Sequence, residues 1–226
     1  MPTITASSND GYQSSSLNSS WDAVHDHVGA SNPVTNLTYS SLHAIRYEYV
    51  SARGGIKYYL TRSFFDFDTS SVGSAPTEAT LKLKAHTQNT CTPCIVAKSG
   101  HDPSAAATDD WFSTWITDQS VTLSGWGASD ITAYSASTAM GSVDAFTDFT
   151  LNEDARDDMA SLSTFKICVL HNNDYNDTAP TSGLLRTGLY WANNGTESHR
   201  PYIDYTAAEE EGEAPVSNAT FFGANF

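Results

Sequence analysis

The chain has 226 residues, 39% hydrophobic and 12% aromatic, with 11 Tyr, 10 Phe and 5 Trp, which is enough bulky apolar surface to close a core. All-β chains of this length commonly form a single domain. A formal net charge of −15, from 11 Lys plus Arg against 26 Asp plus Glu, repels phosphate backbones and anionic headgroups and so argues against nucleic acid and membrane surfaces as partners.

The first 20 residues, from Met1-Pro-Thr-Ile through Ser-Asn-Asp-Gly to Ser20, are polar and read as an arm outside the core. They lack the basic and apolar regions of a signal peptide. No run of about 18 apolar residues follows anywhere to span a bilayer. The expectation is a protein made in a host cytoplasm that leaves without the general export route. Asn-x-Ser/Thr triplets at Asn18, Asn36, Asn176, Asn194 and Asn218 then read as ordinary composition.

From residue 21 to 206, short segments rich in β-branched and aromatic residues alternate with Gly, Pro, Asn, Asp and Ser clusters, which predicts strands. The segments are His43–Val50, Ile56–Asp68, Ala79–His86, Cys94–Lys98, Val121–Leu123, Phe146–Leu151, Phe165–His171, Gly188–Trp191 and Tyr202–Thr206. Alternation in the third puts Ala79, Leu81, Leu83 and Ala85 on one face and Thr80, Lys82 and Lys84 on the other, a half-buried strand. By contrast Phe165–Leu170 is apolar at successive positions apart from Lys166, so both its faces should be covered, as in two packed sheets. One short helix is expected at Glu153–Ala160, where Asn152 is placed to cap it and acids stand near its positive end. The pattern predicts an all-β, antiparallel two-sheet jelly-roll sandwich with one short helix and extended terminal arms.

Beyond Thr206 the chain turns acidic at Ala207–Pro215, a core-poor linker, and ends in Val216–Phe226, which carries Phe221, Phe222 and Phe226. Three aromatic rings beyond a self-repelling linker suit a neighbour's groove or sheet edge, making 207–226 a docking tail.

Few residues carry a chemical signature. Cys91-Thr-Pro-Cys94 has redox or zinc spacing, and His86 and His101 flank it, so these four make up a tetrahedral donor set. No helix is expected to follow as in a redox site, which favours a loop disulfide or free thiols over zinc. Cys168 falls in a core strand and reads as a small hydrophobe. Among the acids, Asp66, Asp68, Asp109, Asp110, Asp174 and Asp204 are candidates for a glycosidase pair or for calcium, but abundant acids are ordinarily solvated surface. No nucleophile elbow, phosphate loop or His-Glu-x-x-His is present. No resident cofactor is expected. The group Trp111, Phe112, Trp115 and Trp126 supplies flat rings for a glycan platform, with core packing as the competing role.

Four stretches in order carry a family likeness: Arg62–Asp68, Ala79–Leu83, Phe146–Thr150 with its helix and the strand Phe165–Leu170, and Ser198–Tyr205 containing Arg200-Pro201-Tyr202-Ile203. Together they resemble a family of bacterial and phage extracellular modules named after a DNRLRE signature and allied to carbohydrate-binding jelly rolls. The name-giving motif is absent, and Trp111–Ile116 matches the Trp-rich middle only loosely. The resemblance implies a jelly roll of eight or more strands that is the whole functional unit here.

With the acidic surface and the expected docking termini, this leads to a non-enzymatic virion structural protein of a tailed bacteriophage. It would decorate the capsid or sit on the tail, contact capsid or tail proteins and host-surface glycans, and act as a monomer or homo-oligomer. The alternative is a carbohydrate-binding module or adhesin, and the third reading is a polysaccharide-active enzyme.

Overall fold

A computed structural model describes residues 1–17, 20–26, 34–35, 40–53, 55–89, 93–102, 111–117, 121–122, 124–181 and 183–209. The strands are β1 (Thr3–Thr5), β2 (Gly11–Leu17), β3 (Val34–Thr35), β4 (Ser40–Ala52), β5 (Gly55–Asp68), β6 (Glu78–Asn89), β7 (Cys94–Lys98), β8 (Phe146–Thr150), β9 (Thr164–His171), β10 (Leu184–Tyr190) and β11 (Tyr202–Thr206). The helices are α1 (Trp21–His25), α2 (Trp111–Thr117), α3 (Glu153–Ser161) and α4 (Asn172–Tyr175), with a 3-10 turn at Glu197–His199. No helix among the described residues is long and apolar enough to cross a membrane.

The fold is mostly antiparallel β-sheet. A continuous path runs β1-β11-β6-β10-β4-β5-β2-β3, with β8 paired to β6, β9 to β5, and β7 to β9. Two long strands change neighbours along their length. On β6, Lys82 lies between Tyr202 of β11 and Asp148 of β8, whereas Ala85, Thr87 and Gln88 pair with β10. On β5, residues Tyr58 to Thr61 lie between β2 and β4, and Ser63 and Phe64 lie between β2 and β9. A strand has two edges, so β4 and β9 follow each other along the same edge of β5.

The expected alternation of β6 is present: Ala79, Leu81, Leu83 and Ala85 are buried, and Thr80, Lys82 and Lys84 are half-buried. The inward set joins Phe149 of β8, Ile203 of β11, Phe65 and Phe67 of β5, and Ile167 and Val169 of β9 in the principal core. The opposite face of β9 is covered as well, because Cys168 and Leu170 belong to a second cluster with Phe64, Ile95 and Ala97. A third cluster packs Trp21 and Val24 of α1 on Tyr47 and Leu60.

The expected helix is α3. Asn152 Oδ1 accepts from Ala155 N at 3.1 Å, Glu153 and Asp154 stand in the first turn, and Ala155 and Met159, one turn apart, enter the core.

Three sequence expectations need correction. Within the residues 1–20 expected as an arm, Thr3–Thr5 and Gly11–Leu17 are strands of the sheet: Ile4 pairs with Ile203 across β1 and β11, and β2 pairs with the middle of β5 from Leu17↔Tyr58 to Gly11↔Phe64. A polar strand contributes main-chain hydrogen bonds to its neighbour, so its composition gave no apolar signal. Val121–Leu123 is not a strand at Val121 and Thr122, while Leu123 lies outside the described residues. Helices α1, α2 and α4, none longer than 7 residues, were not anticipated, being too short to show a periodic apolar face.

Truncating Leu81 to Ala removes methyl groups from a site with no solvent access and should cost about 2–5 kcal/mol. Thr80→Ala, on the other face of the same strand, should stay within about 0.5 kcal/mol of wild type. Urea unfolding of the two variants checks the facing of β6.

Candidate functional site

The three tryptophans expected to form a glycan platform are core residues. Trp111 and Trp115, four residues apart on α2, are 0% exposed, and Trp126 is 2% exposed. Trp111 packs edge-on against Phe64 at 5.2 Å, and Trp115 edge-on against Trp126 at 5.1 Å. The platform expectation is therefore corrected. The outer face of β5, β9 and β7 carries Phe64, Cys168, Leu170, Ile95 and Ala97, and these rings close over it. The Phe112 side chain lies outside the described residues.

The zinc donors are dispersed. Cys94 and Val96 face the principal core, whereas His101 lies across the sheet against Phe64 and Trp111, with Nδ1 2.7 Å from Ser99 Oγ. Burial lowers the His101 imidazole to about 3, with the Lys166 charge adding to it, so this ring is neutral at physiological pH. His86 packs on Tyr190 at 5.1 Å, and Cys91 lies outside the described residues. Among the described residues no three His, Cys, Asp or Glu side chains are grouped to hold a metal ion. The Cys168 thiol is fully buried, and burial pushes it up. Phe221, Phe222 and Phe226, with the linker from residue 210, also fall outside the described residues.

The candidate acids have separate fates. Asp109 and Asp110 are outside the described residues. Asp68 is exposed and accepts from both the amide and hydroxyl of Ser70, which lower its carboxyl. Asp66 is buried, which raises it, with the Ser7 side chain opposing.

Asp174 belongs to a charged network that sequence reasoning did not assemble. Arg62, 0% exposed in the middle of β5, donates from Nε to Asp174 Oδ2 at 2.8 Å and from Nη2 to Asp174 Oδ1 at 2.7 Å. Nη2 also donates to the His25 carbonyl at 3.2 Å. The guanidinium carbon stands 4.9 Å from the Trp126 ring centre and 5.4 Å from that of Trp115. His25 stacks on Trp126 at 4.1 Å, with Nδ1 2.8 Å from Asp26 and Nε2 3.0 Å from the Asp174 carbonyl. Trp21 Nε1 donates to Asp177 at 2.7 Å. The residues come from α1, β5, α4 and the turn at Trp126, far apart in sequence and with no motif spacing. Their contacts tie those elements together.

Asp10 was likewise missed. It is fully buried, its Oδ2 accepts from Ala192 N at 2.8 Å, and Oδ1 has no hydrogen-bond partner. Desolvation pushes its carboxyl up to about 8, with the Ala192 amide opposing and the Asp66 charge adding.

An open concave surface lies elsewhere. Alternation on β11 sends Ile203 into the core and Tyr202 and Asp204 outward, beside Thr3 and Thr5 of β1. With Glu197 and Arg200 from the preceding turn they line a groove of about 450 Å³. Arg200 is set by its Nε, which donates to the Asn194 carbonyl at 2.8 Å, and its Nη1 stands 3.8 Å from Glu197. Thr3 Oγ1 donates to Asp204 Oδ1 at 3.0 Å. Tyr202 packs T-shaped against Phe146 of β8 at 5.3 Å. Partial burial, with the Asp204 charge adding, raises its phenol, so the hydroxyl is a neutral donor. The row continues across the sheet as Thr5, Tyr202, Lys82 and Asp148, the last two joined at 2.7 Å. Asp204, one of the acids singled out in the sequence, thus lines an open groove.

No family model matches the chain, and no curated protein matches it.

Asp174→Ala leaves the Arg62 charge buried without its carboxylate and should destabilise the protein by about 3–5 kcal/mol in urea unfolding. For Asp10, the free carboxyl titrates near 3.8 and the folded one near 8, so between those values the folded chain keeps a proton that the unfolded chain releases. Stability contributed by this group therefore falls as pH rises from about 4 to 8 and levels off above. Asp10→Asn keeps an acceptor for Ala192 and should flatten that slope and raise the melting temperature at pH 8, as thermal scans across pH will report.

Proposed function

We propose that the protein is a non-enzymatic structural and binding module of a tailed-bacteriophage virion, a jelly-roll domain displayed on the particle surface in capsid or tail. The observation that carries the binding role is the division of labour among its polar groups. The buried Arg62–Asp174 ion pair and the His25 ring are engaged with one another and with main chain, while the solvent-facing groove at Tyr202 and Asp204 presents donors and acceptors to the outside. Such an arrangement recognises rather than reacts: a rigid sheet holds an open polar surface.

A jelly-roll sandwich is supported by the long strands β5 and β6, each serving different neighbours at its two ends, and by a principal core fed from both ladders. Virion display is supported by the ordered family likeness of residues 62–205 and by the −15 charge, which keeps densely arrayed copies apart and soluble. Phe221, Phe222 and Phe226 are the docking residues in this reading.

Locating the chain in a density map of the particle that carries it tests the proposal. The expected result is copies on the shell or tail with segment 216–226 seated on a neighbouring subunit. Particles lacking the chain, or a purified chain that cleaves a polysaccharide in many turnovers, overturn it.

A further inference from the structure

We propose that the groove lined by Thr3, Thr5, Glu197, Arg200, Tyr202 and Asp204 is a binding site for a neutral, hydroxyl-rich saccharide, an inference that rests on reading the chain as a binding module. Its volume, about 450 Å³, falls within the range of small-ligand sites, roughly 300–1,000 Å³.

The lining suits a polyol. A sugar ring presents hydroxyls that both donate and accept, together with a face of C–H groups. Asp204 and Glu197 accept, Arg200 donates, and the threonine and tyrosine hydroxyls do either. Hydrogen bonds to the ionised members are the stronger ones and are directional. Tyr202 supplies a ring for the C–H face. It is fixed on a strand paired on both sides and braced by Phe146, so little rotamer freedom remains to be lost on binding. Arg200 is held in the same way by the Asn194 carbonyl, and the Asn194 side chain in turn accepts from Thr196 N at 2.9 Å.

Charge selects against the other occupants. The groove holds two carboxylates and one guanidinium in a chain of net charge −15, so a polyanion, whether nucleic acid or a uronic-acid polymer, is repelled. A cationic peptide meets the guanidinium of Arg200 in the groove and the positive charge of Lys82 beside Tyr202. A neutral chain of hydroxyls meets none of these penalties. The groove is open, and the outward row of side chains continues beyond it to Lys82 and Asp148, so the fit is to a length of chain rather than to a terminal sugar. Contacts of this kind are individually weak, and display in many copies multiplies them.

The experiment titrates the full chain with neutral gluco-, manno- and galacto-tetraoses, an oligouronate and an oligolysine, read by calorimetry and by amide shifts. At least one neutral tetraose should bind and shift the amides of β1 and β11. Tyr202→Ala should weaken that binding tenfold or more, Tyr202→Phe should keep it within threefold, and Asp204→Asn should weaken it about tenfold by removing a charged acceptor (about 1.4 kcal/mol). Unchanged urea midpoints show that the outward-facing variants fold. Absence of binding by every neutral tetraose at about 10 mM, affinity undiminished in Tyr202→Ala, or preferential binding of oligolysine or oligouronate overturns the inference. Particle attachment of wild type and Tyr202→Ala separates the two levels. Equal attachment without saccharide binding defeats the saccharide and leaves the binding module standing, and no attachment by either defeats both.

Discussion

Arg62 carries a full positive charge in the interior of β5, a position where an isolated ion would be expelled or neutralised. The guanidinium stays because Asp174 meets it with both oxygens and the His25 carbonyl accepts a further bond. A buried pair of this kind gains little net stability over well-packed hydrophobes. What it supplies is position. The planar fork of Arg62 has one satisfactory orientation against a carboxylate, so α4 is set relative to β5, and the end of α1 is set with it. Trp126 and Trp115 then pack over the guanidinium face, which gives the lid over the second cluster a fixed seat. The outer face of the central strands is thus closed by an electrostatic peg with aromatic rings around it.

The consequence is a molecule with unequal surfaces. One side of the β5, β9 and β7 region is packed under α1, α2, α4 and the turn at Trp126, and Trp21, Trp111, Trp115 and Trp126 are buried there. On the ladder of β1, β11, β6 and β8 the inward residues fill the principal core, and no helix among the described residues covers the outward ones. The second kind of face keeps its outward side chains open to a ligand. That is why the aromatic residues with the largest rings do not mark the candidate site, whereas a single half-exposed tyrosine does.

How much of this the sequence disclosed depends on which residues carry the information. Strand β6 and strand β9 could be read because apolar periodicity is a local property: two-residue alternation for one covered face, an unbroken run for two. Helix α3 could be read because its cap and first-turn acids are adjacent in sequence. β2 could not, since Gly11-Tyr-Gln-Ser-Ser-Ser-Leu17 is polar and is recruited by the unpaired edge of β5. The charged network could not either. His25, Arg62 and Asp174 are separated by 37 and 112 positions, and only the completed fold brings them together.

The tryptophans show the same limit from the other side. Trp111 and Trp115 carry a one-turn spacing that fits either an exposed platform or a buried helix face, and residue type does not separate the two. The deciding quantity is how much apolar area on the outer sheet face needs covering, and that is set by Phe64, Cys168, Leu170, Ile95 and Ala97 on three other strands. The face that is already balanced, with Lys82 against Asp148 and Thr3 against Asp204, needs no lid. It can remain in water at no cost to the core, and a surface with that freedom is the one available for recognition.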